Sequence, residues 1–214
     1  MSRVALIDYG SGNLRSAEKA LRRAAAGLTR APDIVVTDDP DLIAAADAIV
    51  LPGVGAFSAC RSALLARTGV VEAIETAARG RGAPFLGICV GMQLLAQRGL
   101  EFGETPGLAW IAGDVARLTP QGARNKVPHV GWNSVDYARG AVLFAGLPAG
   151  TDMYFTHSFV ITEADPADVA GWTDHGGRFA AAVTRGNIAG VQFHPEKSQA
   201  AGLELLANFL KWRP

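Results

Sequence analysis

The sequence predicts a three-layer α/β domain in which helices flank a central mixed, mainly parallel sheet. In the first half of the chain, short apolar runs alternate with segments of helical periodicity, a pattern typical of parallel sheets. The second half contains several short strand patterns separated by turn residues. The 214 residues are 49% apolar and 19% charged, a composition that suits one packed globular domain.

Four strands and three helical segments are predicted in the first half. The strand patterns are short and apolar, and they cover Val4 to Tyr9, Asp33 to Val36, Ala48 to Leu51 and Pro84 to Ile88. Apolar residues at helical spacing predict helices over Leu14 to Leu28, Ser58 to Arg79 and Gly91 to Gln97. Asn13 or Ser11 is the candidate N-cap of the first helix.

The second half is richer in strands. Their predicted ranges are Asp114 to Leu118, Gly131 to Val135, Asp152 to Phe155, Phe179 to Val183 and Ile188 to Phe193. A last helix is predicted from about Ala200 to Trp212, because leucines recur on one face. We therefore expect one mixed sheet that gains antiparallel strands late in the chain.

Charge and cysteine content restrict the class of protein. Lysine and arginine together number 20, as do aspartate and glutamate, so the net charge gives no reason to expect nucleic acid or an anionic membrane as partner. Two cysteines, Cys60 and Cys89, are too few for a secreted disulfide framework. The N-terminal residues pass directly into a strand pattern without signal-peptide features. We expect a cytoplasmic protein.

The clearest chemical signal is a glycine-flanked cysteine, in the run Gly87-Ile88-Cys89-Val90-Gly91. It follows an apolar strand and precedes a predicted helix, which is the context of a nucleophile elbow. Glycines suit such a turn because neighbouring backbone leaves no room for Cβ atoms. The N–H groups and dipole of the following helix would favour the thiolate. The alternative is a buried core cysteine, which is how we interpret Cys60.

A nucleophilic cysteine needs a base, and His194 is the candidate because Glu196 follows two residues later. In an extended segment, positions two apart point to the same side, so Glu196 would accept a proton from the imidazole nitrogen that faces away from the cysteine. Such a carboxylate fixes the imidazole tautomer and stabilises the imidazolium. A histidine near a glutamate is common on protein surfaces, and the elbow gives this pair its significance.

A glycine-rich loop, Pro52-Gly53-Val54-Gly55, follows the third predicted strand. Loops at the carboxyl edge of a parallel sheet are where such folds bind ligands. The N–H groups of this loop, with that of Val90, would stabilise the oxyanion of an acyl-transfer intermediate. An ordinary tight turn is the alternative.

Cofactor and metal sites are not expected. Gly10-Ser11-Gly12 begins like a dinucleotide-binding loop, but Arg15 stands in place of the third glycine. Cys89 and the histidines lack the short ligand spacing of a metal site.

Three motifs resemble those of class I glutamine amidotransferases: Gly87 to Gln93, the Pro-Gly-Val-Gly loop and Gly190 to Glu196. In chain order the loop comes first, and the set spans almost the whole sequence. The resemblance implies one glutamine amidotransferase type 1 domain over residues 1–214. Within the class, three segments resemble the branch that serves histidine biosynthesis: Tyr9 to Ser16, Val127 to Asn133 and His194 to Ser198.

The resemblance also implies roles for individual residues. Cys89 would attack the side-chain amide of glutamine, His194 would protonate the departing ammonia, and Glu196 would orient His194. The amides of Val54 and Val90 would serve the oxyanion. The positions that hold glutamine in this family are Gly55, Gln93, His157, Ser158 and Phe159.

A partner is implied in the same way. Asn13, Trp132 and Lys197 fall where the family's glutaminase meets a (β/α)₈-barrel cyclase subunit, with which it forms a heterodimer that uses the ammonia. Phe159 stands where a tyrosine is frequent, and Val90 where leucine is frequent; neither change affects the triad.

Three other interpretations remain open at the level of sequence. The first is an amidotransferase of the same class that serves a different synthase. The second is a stand-alone cysteine peptidase or γ-glutamyl hydrolase, which would not require the partner-facing residues. The third is a non-catalytic scaffold subunit that keeps the fold, because fold alone does not establish activity.

Overall fold

The structure is a computed structural model that describes residues 2–10, 12–122, 125–138 and 140–214, so the candidate cap Ser11 lies outside the described residues. In chain order, strands β1 to β13 cover Arg3–Ile7, Asp33–Thr37, Ala48–Gly53, Phe85–Cys89, Arg98–Gly99, Thr105–Pro106, Asp114–Arg117, His129–Tyr137, Thr151–His157, Phe159–Thr162, Val169–Asp174, Arg178–Arg185 and Ile188–Val191. Helices α1 to α6 cover Leu14–Ala26, Pro40–Ala44, Phe57–Leu65, Val70–Glu75, Val90–Gln93 and Gln199–Lys211.

Within the described residues, nine strands form one mixed sheet in the order β2-β1-β3-β4-β13-β12-β11-β8-β9. The pairings from β2 across to β13 are parallel. Those from β13 across to β9 are antiparallel. The predicted mixed sheet is therefore confirmed, with an antiparallel share equal to the parallel one. The unforeseen strand β11 accounts for part of that share, because its Val-Ala-Gly-Trp-Thr-Asp sequence has no strong alternating pattern.

Helices cover both faces of the sheet. α1 connects β1 to β2, and α2 connects β2 to β3 on the other side of β1. Because crossovers between parallel strands are right-handed, these two connections run over opposite faces. α6 packs against α1, and α4 packs against α2. The result is the predicted three-layer arrangement.

A second, four-stranded sheet in the order β10-β7-β5-β6 departs from the sequence expectation. The strand beginning at Asp114 was expected in the main sheet and belongs to this smaller one. Helix α5 is also shorter than predicted, ending at Gln93 rather than Gln97. The backbone after it instead accepts hydrogen bonds from a returning segment, as in Leu108 N–H to Leu94 O at 2.7 Å and Trp110 N–H to Leu95 O at 2.8 Å.

The helical region predicted over Ser58 to Arg79 is interrupted. It consists of α3, then α4, then a π-helical turn over Thr76–Gly80. Gly69, at φ 79°, separates the first two because that backbone conformation cannot continue a right-handed helix. None of the helices in the described ranges combines the length and the apolar character needed to span a bilayer.

Three glycines meet where β3 and β4 lead into α5. A Cβ atom at Gly91 would lie 1.9 Å from the carbonyl oxygen of Leu51, and one at Gly87 would lie 2.5 Å from the carbonyl oxygen of Gly91. A Cβ at Gly53 would lie 2.7 Å from the Gly91 nitrogen. The close approach of these backbones holds the end of β4 in place.

We expect Gly91→Ala to lower the free energy of unfolding by about 3 kcal/mol or more, because rigid backbone surrounds the added methyl group. Urea unfolding followed by circular dichroism measures the change. Gly27→Ala is the matched control, since the nearest atom to its Cβ is 3.7 Å away. An unfolding midpoint for Gly91→Ala equal to that of the wild type would contradict this account of the turn.

Candidate active site

The register of three parallel strands assembles the site. Gly53 on β3 pairs with Cys89 on β4, and Val191 on β13 pairs with Ile88. The carboxyl ends of β3, β4 and β13 therefore lie side by side. This arrangement brings together the glycine-rich loop, the cysteine and the segment that contains His194.

Cys89 adopts the strained conformation of an elbow. Its backbone has φ 54° and ψ −112°, in a region that favours glycine, and its side chain is buried. The helix that follows, α5, has only four residues. Few peptide dipoles are aligned over so short a helix, so the helix-dipole argument made from the sequence carries less weight than expected.

His194 and Glu196 form the expected pair, but by a different geometry. The Nδ1 atom of His194 lies 2.7 Å from Oε1 of Glu196, and both side chains are almost completely buried. The segment is not extended, because Pro195–Lys197 is a turn of 3₁₀ helix. The premise that the two residues share one side of an extended chain was therefore wrong, although the contact itself forms.

Hydrogen bonds to neighbouring backbone fix this turn. The hydroxyl of Ser198 donates to the carbonyl of His194 at 2.7 Å and accepts the N–H of Tyr154 at 3.0 Å. The N–H of His194 donates to the Tyr154 carbonyl at 2.8 Å. Strand β9 thus holds the histidine at a defined position.

The surroundings of His194 favour its protonated form. Burial lowers the pKa of His194, but hydrogen bonding and negative charge from Cys89 and Glu196 outweigh that effect and raise the pKa to about 9. The Nε2 atom is buried and has no hydrogen bond of ordinary geometry within the described residues, although Cys89 is near enough to affect its pKa. The arrangement suits a cysteine and an imidazole that exchange a proton.

Asn13 occupies the N-cap position of α1, but its side chain does not cap the helix. Its Nδ2 atom instead donates to Oε1 of Glu196, the same oxygen that His194 contacts. The predicted side-chain cap is therefore not formed by Asn13, whereas its contact with a partner stays a prediction.

A cavity of about 400 Å³ opens over the cysteine. Its lining includes most of the residues expected at the site and two that the sequence analysis did not identify, Glu101 and Thr156. The expected residues in the lining are Asn13, Val54, Gly55, Cys89, Val90, Gln93, His157, Ser158, Phe159, His194 and Lys197. Glu196 lies behind His194, and Trp132 lies outside the cavity.

Glu101 brings a carboxylate to the cavity. One of its oxygens accepts the N–H of Phe57 at 2.9 Å and so caps the start of α3. Nothing in the local sequence Gly99-Leu100-Glu101-Phe102 distinguishes this residue from an exposed turn glutamate. Its position depends on how the loop after α5 folds back towards the glycine-rich loop.

Two hydrogen-bonded histidines support the far wall of the cavity. Nδ1 of His157 lies 3.1 Å from the carbonyl oxygen of Phe159, and its Nε2 lies 3.0 Å from Nδ1 of His129. Asn133 Nδ2 is 3.3 Å from Nε2 of His129. Since the Phe159 carbonyl can only accept, His157 donates to it and in turn accepts from His129.

These two histidines are held neutral. Burial is the main reason that the pKa of His129 falls to about 4 and that of His157 to about 3. The positive charge on a neighbouring protonated histidine would lower each further. No set of three histidine, cysteine or acidic side chains in the described ranges is arranged to hold a metal ion.

An exposed apolar surface adjoins the cavity. Val130 and Trp132 on β8 are 56% and 48% exposed, unusually high fractions for large apolar residues. The Trp132 ring packs edge-on against Tyr154, and Lys197 lies over the Tyr154 ring at 5.8 Å. Lys197 also lines the cavity, so this surface begins at the cavity mouth.

A known protein family and full-length relatives match the chain. Residues 5–212 match the family described as Glutamine amidotransferase class-I. The chain is 61% identical to the imidazole glycerol phosphate synthase subunit HisH of Caulobacter vibrioides over the full length of both proteins. It is 55% identical to the protein of the same name from Rhodospirillum rubrum, with 99% of this chain and 100% of the relative covered.

A solved structure described as a glutamine amidotransferase superposes with a TM-score of 0.70 over 97% of each chain. Its sequence identity is 18%, so it supports the fold alone.

We expect the free energy of unfolding to fall as the pH is lowered from about 6.5 towards 4, because the unfolded chain then binds protons that folded His129 and His157 exclude. His129→Asn removes one of these groups and should make the fall shallower. Urea unfolding across this range measures it. Near pH 8 both histidines are neutral in the folded and in the unfolded chain. The difference in the free energy of unfolding between the wild type and His129→Asn at that pH is therefore the baseline. Parallel pH dependences would show that His129 does not titrate in this way.

Proposed function

The chain belongs to the class I glutamine amidotransferase family, and from this membership we propose that it hydrolyses glutamine as the glutaminase subunit of an imidazole glycerol phosphate synthase. The observation that carries the proposal is the buried contact between His194 and Glu196 beside Cys89, in a chain that matches its named relatives from end to end. The reaction yields glutamate and ammonia and belongs to histidine biosynthesis in the cytoplasm.

Cys89 attacks the side-chain amide carbon of glutamine as a thiolate. With a pKa of about 9, His194 carries a proton at neutral pH and donates it to the departing nitrogen, so that ammonia and a thioester form. His194 then takes a proton from water as the oxygen adds to the thioester carbon. Glutamate leaves, and the thiolate–imidazolium pair is regenerated.

Glu196 and Asn13 support the histidine. Glu196 keeps Nδ1 of His194 protonated, so Nε2 is the atom that exchanges protons at the cysteine. The Asn13 amide donates to the same carboxylate and helps to hold it. The backbone amides of Val54 and Val90, both at the cavity wall, are the proposed donors to the tetrahedral oxyanion.

Glutamine would occupy the cavity with its side chain directed at Cys89. Gly55, Gln93, His157, Ser158 and Phe159 are the proposed substrate contacts, since all of them line the cavity. We add Glu101, the carboxylate among the lining residues, as the partner for the α-ammonium group of glutamine.

The relatives are named as subunits of a synthase, and this supports a complex. We propose a (β/α)₈-barrel cyclase subunit as the partner, in a heterodimer. The surface formed by Val130, Trp132, Tyr154 and Lys197 would meet it, because Val130 and Trp132 are large apolar side chains left exposed and Lys197 continues the surface to the cavity mouth. Ammonia released into neutral water would be protonated and lose its nucleophilicity, so a covered route to the second site protects it.

Glutamate release from glutamine tests the function. We expect Cys89→Ala to lower kcat at least a thousandfold, because the nucleophile is lost. Cys60→Ser is the matched control and should retain activity, because Cys60 does not line the cavity and a hydroxyl can still donate to the Val54 carbonyl. We also expect the isolated chain to be a poor glutaminase that the purified cyclase with its ribonucleotide ligand activates.

The outcomes separate the parts of the proposal. Undiminished activity in Cys89→Ala would refute the nucleophile. Activity that depends on Cys89 but does not change when the cyclase is added would support the glutaminase function and reject the proposed partner.

We expect Glu101→Gln to raise the KM for glutamine about tenfold with a smaller change in kcat, because it removes a charge that binds substrate and transition state alike. The amide side chain introduced at position 101 keeps an oxygen that can accept the Phe57 N–H, so the start of α3 remains capped. Glu104→Gln is the control, since that carboxylate pairs with Arg98 on the surface. An unchanged KM in Glu101→Gln would assign this glutamate to helix capping alone.

A further inference from the structure

The side chain of Gln192 lies fully buried beside the reactive sulfur. Its Nε2 atom is 3.7 Å from Sγ of Cys89, within the range of an N–H to sulfur hydrogen bond. Gln192 follows Val191, which pairs with Ile88, so the strand register places it next to Cys89. In the sequence, Gln192 belongs to the motif from Gly190 to Glu196, but that motif was assigned no role for Gln192.

The orientation of this amide is determined by its neighbours. Nε2 of Gln93 donates to the carbonyl oxygen of Phe159 at 2.9 Å and to Oε1 of Gln192 at 3.0 Å. A carbonyl can only accept, so Gln93 must turn its NH₂ group towards Phe159. That orientation presents N–H to Gln192 as well, which fixes the oxygen of Gln192 towards Gln93 and its NH₂ group towards the sulfur.

The Phe159 carbonyl is itself held in place. His157 donates to it from Nδ1, and the contact of His157 with His129 fixes that tautomer. Both histidines are neutral at pH 7, so the direction of donation is constant there. A continuous series of directional hydrogen bonds therefore ends at Cys89.

We propose that Gln192 is a further catalytic residue, which donates an N–H to the Cys89 sulfur and so stabilises the thiolate, and that Gln93 positions it. The inference rests on the proposed role of Cys89 as nucleophile. It gives Gln93 a second task besides the expected contact with substrate: both hydrogens of its amide are engaged within the protein, which leaves its oxygen to face the cavity. The short helix α5 adds to the need for such a donor, because its dipole is small.

Few charged groups compete with this donor near the sulfur. The charged group beside the sulfur is His194, whose pKa Cys89 raises, and Glu196 lies behind His194. Glu101 and Lys197 line the same cavity, and His157 is held neutral. An amide donor directly after β13 and an imidazolium from the following turn therefore act on the sulfur together.

The test measures the rate at which iodoacetamide alkylates Cys89. Glutamine is left out, and every protein also carries Cys60→Ser, so that Cys89 is the thiol whose reaction is followed. Alkylation requires the thiolate but develops no oxyanion, so it isolates the state of the sulfur. We expect Gln192→Met, which keeps the side-chain length but removes the donor, to slow alkylation about fivefold at pH 7. Near pH 10, far above the ordinary pKa of cysteine thiols, the rate should return to that of the parent protein. Gln97→Met is the control, because Gln97 is exposed and its side chain contacts the Gly113 N–H instead.

Two results would overturn the proposal. One is alkylation of Gln192→Met at the parent rate at pH 7. The other is an equal deficit at both pH values, which would indicate altered access or packing rather than loss of thiolate stabilisation. Should Gln192→Met fail to fold, Gln93→Met releases the orientation of Gln192 and should slow alkylation in the same pH-dependent way; a normal rate there would also reject the proposal.

The proposed function can fail separately. If Cys89→Ala retained glutaminase activity, the nucleophile itself would be wrong. If Cys89→Ala were inactive while Gln192→Met alkylated normally, only the role of Gln192 would be lost.

Discussion

The close approach of three backbone segments is the constraint on which the site depends. Gly53, Gly87 and Gly91 allow the ends of β3 and β4 and the start of α5 to lie nearer than any side chain would permit. This contact fixes where Cys89 projects and places the glycine-rich loop beside it. Because interiors are packed at crystal-like density, a displacement here would be transmitted to every group that faces the cysteine.

The electrostatic design of the site separates two kinds of buried histidine. His194 shares its surroundings with a carboxylate and a thiol, so its charged form is favoured despite burial. His129 and His157 lie among rings and neutral amides, where burial dominates and keeps them uncharged. The first has the protonated form that the proposed mechanism requires, and the other two act as fixed donors and acceptors. One residue type thus performs opposite tasks according to its neighbours.

The sequence predicted the parts of the site that depend on local patterns. The elbow could be inferred because its glycines flank the cysteine directly, and the partnership of His194 with Glu196 followed from their spacing, although a 3₁₀ turn produces it. The placement of Gln192 beside the sulfur and that of Glu101 at the cavity were not predicted, because they depend on strand register and on the return of a distant loop. The smaller sheet and β11 were missed for a similar reason: short strands take their partners from tertiary packing, and propensity over four to six residues is a weak guide to it.

The central position of β13 has a consequence for how the protein is made. Gln192 lies 103 positions after Cys89 along the chain, yet β13 is inserted between β4 and β12. A ribosome that has synthesised the first half has produced Cys89 but neither His194 nor Gln192. Such long-range parallel pairing forms slowly and late. On the proposed roles of His194 and Gln192, nascent and truncated chains would carry an unactivated thiol, and hydrolysis of glutamine would begin only when translation is nearly complete.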